Sequence, residues 1–135
     1  MKHFLKGLFF AAVAMSFNVN AATIEKAKSA YHQGDYQQAA LIAESLVASG
    51  HAEAKVLLGD VYYFGHASHI DYQKAFELYQ SAARQGSADG IYSLAVMYEY
   101  GLGTKKDIAK ALELFKQAAQ KNQKLAQVKL RVHAL

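Results

Sequence analysis

The chain has 135 residues, 53% of them hydrophobic and 19% charged, with no cysteine, no proline and a formal charge of +4. That suits one folded domain and not a disordered chain, and the missing cysteine excludes disulfides, thiol nucleophiles and an acylated lipoprotein cysteine. Setting aside Lys2 and Lys6 leaves a charge of about +2, too little to argue for a nucleic-acid partner.

Lys2 and Lys6 flank the start, "LFFAAVAM" follows as a short apolar core, and "NVNAA" ends on small residues. This is the layout of a secretory signal peptide over residues 1–21, with cleavage after Ala21 and a mature chain from Ala22. The apolar run is shorter than the about 20 residues a membrane-spanning helix needs, and no transmembrane segment is expected in the mature chain. The expected location is outside the cytoplasm: periplasmic in a Gram-negative bacterium, otherwise secreted.

From Ala22 onward the sequence is rich in Ala, Leu, Gln, Lys and Glu, residues that lose least when fixed in a helix. An all-α fold follows. Sliding the chain against itself by 36 residues aligns Ala52 with Ala88, Leu58 with Leu94, Tyr62 with Tyr98 and Gly65 with Gly101. Further on, Asp71, Lys74, Ala75, Glu77, Leu78, Ala82 and Ala83 recur as Asp107, Lys110, Ala111, Glu113, Leu114, Ala118 and Ala119. A period of this size marks a solenoid, whose units bury their apolar sides against one another.

The offset also puts "DYQQA" at Asp35 onto "DYQKA" at Asp71, and Ala126, Val128 and Leu130 under Gly90, Tyr92 and Leu94. The expected organisation is an α/α solenoid: an N-terminal repeat over 22–51, full repeats over 52–87 and 88–123, and a capping helix within 124–135. Its helices are expected over 23–33, 36–49, 52–64, 72–85, 88–100, 108–121 and 124–133.

Within a unit, Ala75, Leu78, Tyr79, Ala82 and Ala83 form one apolar stripe at helical spacing. Gly59 sits where a side chain would hold the partner helix away. Asp71 and Asp107 precede their helices as N-caps, and Gly65, Gly86 and Gly101 follow helices as left-handed stops. Charge is uneven along the chain: 22–103 holds nine acids against five lysines and arginines, whereas 104–135 holds eight of these bases against Asp107 and Glu113. The basic third reads first as a solvated face and second as a contact for an acidic surface.

"AEAKVLLGDVYYFG…DYQKAFELYQSAARQG" and "ADGIYSLAVMYEYGLGTKKDIAKALELFKQAAQ" resemble Sel-one-like repeats, relatives of the tetratricopeptide repeat, which "AYHQGDYQQA" resembles in its shorter form. Three positions depart from the pattern: Ala95 for a first-helix glycine, Ala67 for the second loop glycine, and Asn122 for the terminal glycine. The resemblance implies a concave groove that binds a protein or peptide. Its lining falls on Glu53, Val56, Asp60, Tyr63 and Phe64, then on Asp89, Tyr92, Val96, Glu99 and Tyr100, and in the first unit on Lys28, Tyr31 and His32. Tyrosines there supply contact area at low entropy cost, and the acids favour a basic or amide-rich ligand; each tyrosine can equally pack between units.

His66, His69 and Asp71 could supply three metal ligands, but the aligned loop has no histidine and Asp71 is committed to a cap, so no metal is expected. No serine is followed by lysine three places on, no G-x-S-x-G elbow occurs, and "GLGTKKD" lacks the spacing and preceding strand of a phosphate loop. No catalysis and no cofactor are expected. The function read from the sequence is an exported adaptor for protein–protein interaction in the cell envelope. The alternatives are an envelope hydrolase of the β-lactamase-like or peptidoglycan-acting kind, and a structural component that contacts anionic polymer.

Overall fold

Aspartate starts at alternate helices and left-handed residues after them divide the described chain into helices, of which five have 13 residues each. The computed structural model describes residues 23–135; the signal peptide expected over 1–21 lies outside the described residues. The described residues are helical throughout, with no strand: α1 (23–32), α2 (Tyr36–Ala48), α3 (Ala52–Phe64), α4 (Tyr72–Arg84), α5 (Ala88–Tyr100), α6 (Ile108–Gln120) and α7 (Lys124–His133). The second helix of each unit ends one residue earlier than expected, because Ser49, Gln85 and Lys121 close it as C-caps.

Asp35, Asp71 and Asp107 each accept a hydrogen bond from the backbone N–H three residues on, at 3.2, 3.0 and 3.0 Å. One otherwise unpaired helix-start donor is satisfied each time. The chain leaves each unit through a left-handed residue: Gly50 at φ +85°, Gly86 at +84°, and in the third unit Asn122 at +66°. Asparagine tolerates that region better than other side chains, so the departure at Asn122 leaves the turn intact. Ala67 does not have the positive φ of Gly103, its aligned residue, and instead packs into the core.

Each helix from α2 to α7 packs against its chain neighbours, and α3 also touches α5. The first helices of successive units therefore form one layer, with the second helices behind them. Buried residues form two clusters, one around Leu46, Leu57, Leu58 and Val61, the other around Tyr79, Leu94, Met97 and Phe115; Tyr62 packs against both. Such a core is continuous from unit to unit, as a solenoid requires.

Of the expected stripe on α4, Ala75, Tyr79 and Ala82 are buried, while Leu78 and Ala83 are half-buried. Ala118, the counterpart of Ala82, has no exposed surface. Replacing Ala118 by leucine is expected to destabilise the fold by about 1–3 kcal/mol through overpacking, read as a shift in the urea midpoint at unchanged m-value.

Gly59 shows the closest approach. A Cβ there would stand 2.5 Å from Cε1 of Tyr79, nearer than side chains pack. The aligned pair is Ala95 and Phe115, both fully buried, and the third aligned position is Arg131 of α7, which is exposed.

Candidate protein-binding groove

The α3 and α5 residues that face away from the second-helix layer line a concavity of about 460 Å³. Seven of the ten positions expected on these two helices border it: Val56, Asp60, Tyr63 and Phe64 from α3, and Asp89, Tyr92 and Val96 from α5. A smaller hollow of about 190 Å³ holds Glu53 together with Lys28, Tyr31 and His32, the positions expected in the first unit. Val56, Asp60 and Asp89 border both. One groove thus runs across α1, α3 and α5 and reaches α7 at Leu125.

Glu99 and Tyr100 border neither hollow. Glu99 is only 8% exposed and turns toward α7, where Lys129 Nζ donates to its Oε2 at 2.6 Å and His133 Nε2 lies 2.9 Å from its Oε1. Burial opposes the charged form, but the hydrogen bonds and charges of Lys129 and His133 outweigh it and hold the carboxyl below its ordinary range. Tyr100 is 59% exposed, with Lys129 Nζ 5.2 Å from its ring centroid. The acid expected to face a ligand instead fastens the last helix. Lys129 and His133 stand four residues apart on one face of α7, and that spacing was the available sign of a shared partner.

Glu53 is also neutralised within the chain, its Oε1 lying 2.6 Å from Lys28 Nζ. Two groove acids remain. Among the described residues neither Asp60 nor Asp89 has a cation within 4.0 Å, and Asp89 accepts from Gln123 Nε2 at 3.2 Å. Asp60 accepts from the Tyr79 hydroxyl at 2.6 Å. Burial pushes its carboxyl up to about 6; the Tyr79 hydrogen bond pulls the other way and the Asp89 charge adds to the rise. Tyr79 was expected only as core. Its ring is core, but its hydroxyl tip reaches the groove floor, a distinction that helical spacing does not carry.

The other tyrosines divide between the two roles left open by the sequence. Tyr63 and Tyr92 are half-buried groove walls, and Tyr92 also packs on Phe115 at 5.7 Å between centroids. His66 stacks on Tyr36 at 3.9 Å and on Phe64 at 5.2 Å, while Asp71 is engaged at the start of α4. No group of three metal-ligating side chains occurs among the described residues, nor is any helix there long and apolar enough to cross a membrane.

A raised folded-state pKa means that folding favours the protonated form of Asp60. Its contribution is fully favourable below the unfolded value near 4, declines as pH rises to about 6, and stays unfavourable above. Asp60→Asn keeps an acceptor for Tyr79 and removes the charge. It is expected to stabilise the fold by about 1–2 kcal/mol at pH 7.5, after discounting for partial solvent contact, and by almost nothing at pH 4. Urea unfolding at the two pH values checks this; an equal effect at both contradicts it.

A crystal structure of a Sel1 repeat protein from Oxalobacter formigenes is similar at 28% identity and a TM-score of 0.73, over 79% of this chain and 44% of that one. The crystal structure of c5321, described as a protective antigen present in uropathogenic Escherichia coli strains and displaying an SLR fold, is similar in fold at a TM-score of 0.76 and 24% identity. That likeness covers 87% of this chain and 26% of c5321. The chain thus spans less than half the length of either structure. No curated protein matches it. The family model described as Sel1 repeat matches residues 52–87 and 88–123, more than half of the sequence, and the chain therefore belongs to the Sel1-repeat family.

Proposed function

We propose that the chain is an exported adaptor that binds a protein partner in the groove formed by α1, α3, α5 and the start of α7. The observation that carries this reading is the groove itself, with Tyr63 and Tyr92 as walls and with Asp60 and Asp89 left without a cation among the described residues, whereas Glu53 beside them is paired with Lys28. Large rigid aromatic faces beside unpaired charge form a surface suited to a polypeptide segment. Export rests on the N-terminal pattern of residues 1–21 and predicts an envelope or secreted form that starts at Ala22.

A photo-crosslinking residue placed at Val96, inside the groove, is expected to join the chain to a polypeptide partner in cells. The same residue at Lys116, exposed on α6, is expected not to do so. Equal adducts from both positions, or none from Val96, would remove the assignment.

A further inference from the structure

The outward face of α7 continues the groove in a different chemistry. Leu125, Val128 and Val132 stand at i, i+3 and i+7 and are 55, 51 and 61% exposed, whereas Ala126 on the opposite face is buried and Lys129 is bound to Glu99. Among the described residues they form one uncovered apolar stripe. The 36-residue offset places them on Asp89, Tyr92 and Val96 of α5, and Leu125 already borders the groove. Among the described residues the groove therefore changes along its length, from carboxylates without a cation on α3 and α5 to aliphatic side chains on α7.

We propose that this groove reads its partner in one direction, taking an extended segment with a lysine or arginine against Asp60 and Asp89 and aliphatic side chains against Leu125, Val128 and Val132. The inference rests on the reading of the groove as a polypeptide site and adds the chemistry of the occupant. Charge complementarity selects it. Among the described residues the Tyr79 hydroxyl is the only side-chain donor to the Asp60 carboxylate, which can accept up to about four hydrogen bonds. The Asp89 charge acts on Asp60 unfavourably. An ammonium or guanidinium between them supplies charge-assisted bonds and cancels that repulsion, whereas a neutral or acidic segment leaves it in place. Packed helix axes lie about 8–10 Å apart, so α7 is about one such step from Asp89 and two from Asp60, a span of roughly three to six residues of extended chain.

The test uses the mature chain and nine-residue peptides with two lysines at one end, two leucines at the other and serines between, made in both chain directions. Control peptides keep only the lysines or only the leucines. One direction of the two-ended peptide is expected to bind about tenfold or more tighter than either control. Asp60→Asn with Asp89→Asn should weaken it about tenfold and leave the leucine-only peptide unaffected; Val128→Ser with Val132→Ser should do the converse. The proposal is overturned by equal binding of two-ended and control peptides, by no binding of the two-ended peptide, or by α7 substitutions without effect. It is also overturned if the chain alone self-associates in sedimentation and Val128→Asp abolishes this, since a second copy is then the occupant. A Val96 crosslink that persists while the peptides show no polarity removes the directional reading alone; loss of that crosslink removes the groove reading with it.

Discussion

Replacing Glu99 by lysine is expected to detach α7 and to cost about 3 kcal/mol, a fall in melting temperature on the order of 10 °C. Glu99 is buried between two basic groups of α7, with Lys129 at 2.6 Å and His133 at 2.9 Å. The substitution removes both contacts and sets two ammonium groups against each other in a largely buried site. A carboxylate pair broken on one side in a protein interior costs about 3–5 kcal/mol; Lys129 retains some solvent contact, which places the expected value at the lower end. Amide exchange should rise along α7 before it rises in α3, because the break lies between α5 and the last helix. Exchange that rises evenly over all helices would contradict this account.

The wild-type chain carries a pH signature of the same contact. The Glu99 carboxyl is held below its ordinary value in the folded state, so it stabilises the fold above the unfolded pKa, and that stabilisation is lost as pH falls through the lower folded value. Asp60 has the opposite sign, since its folded value is raised. Unfolding measured from pH 3 to 8 in Glu99→Gln and Asp60→Asn should therefore lose opposite slopes.

Gly59→Ala is expected to destabilise by about 2–3 kcal/mol even though it adds a single carbon. The new Cβ would meet Tyr79 Cε1 at 2.5 Å, and the ring cannot withdraw freely because its hydroxyl is bonded to Asp60. The next unit contains its own version of the change: Ala95, Val96 and Phe115 stand where Gly59, Asp60 and Tyr79 stand. There the extra carbon is present, and both the acid and the hydroxyl that tether the ring are gone. Adding Asp60→Val and Tyr79→Phe to Gly59→Ala should recover most of the loss, with a coupling of about 1–2 kcal/mol in the mutant cycle. Simple additivity of the three would show that the two units do not exchange these residues as a set.

The helices were legible in the sequence because their causes are local. Asp35, Asp71 and Asp107 act on backbone N–H groups three residues away, and Gly65 and Gly101 on their own φ angles, so the 36-residue comparison exposes them directly. The groove was legible through the family resemblance, whose implied lining positions Val56, Tyr63, Tyr92 and Val96 do border the hollow. It was not legible where a contact crosses between units or between the two helices of one unit. Glu99 finds Lys129 thirty residues away, Glu53 finds Lys28 on α1, and Tyr79 sends its hydroxyl through the core layer to Asp60. A count of acids treats the four expected groove carboxylates alike, whereas packing leaves two of them without a cation among the described residues.

The left-handed residues Gly50, Gly86 and Asn122, at φ +85°, +84° and +66°, recur in register at 36-residue intervals. The chain therefore leaves one unit with the same heading that it took from the unit before. Reach and selectivity become separable properties: a gene that duplicates one such interval lengthens the surface by a whole step without redesigning any joint, and point changes on the first helices alter what each step recognises.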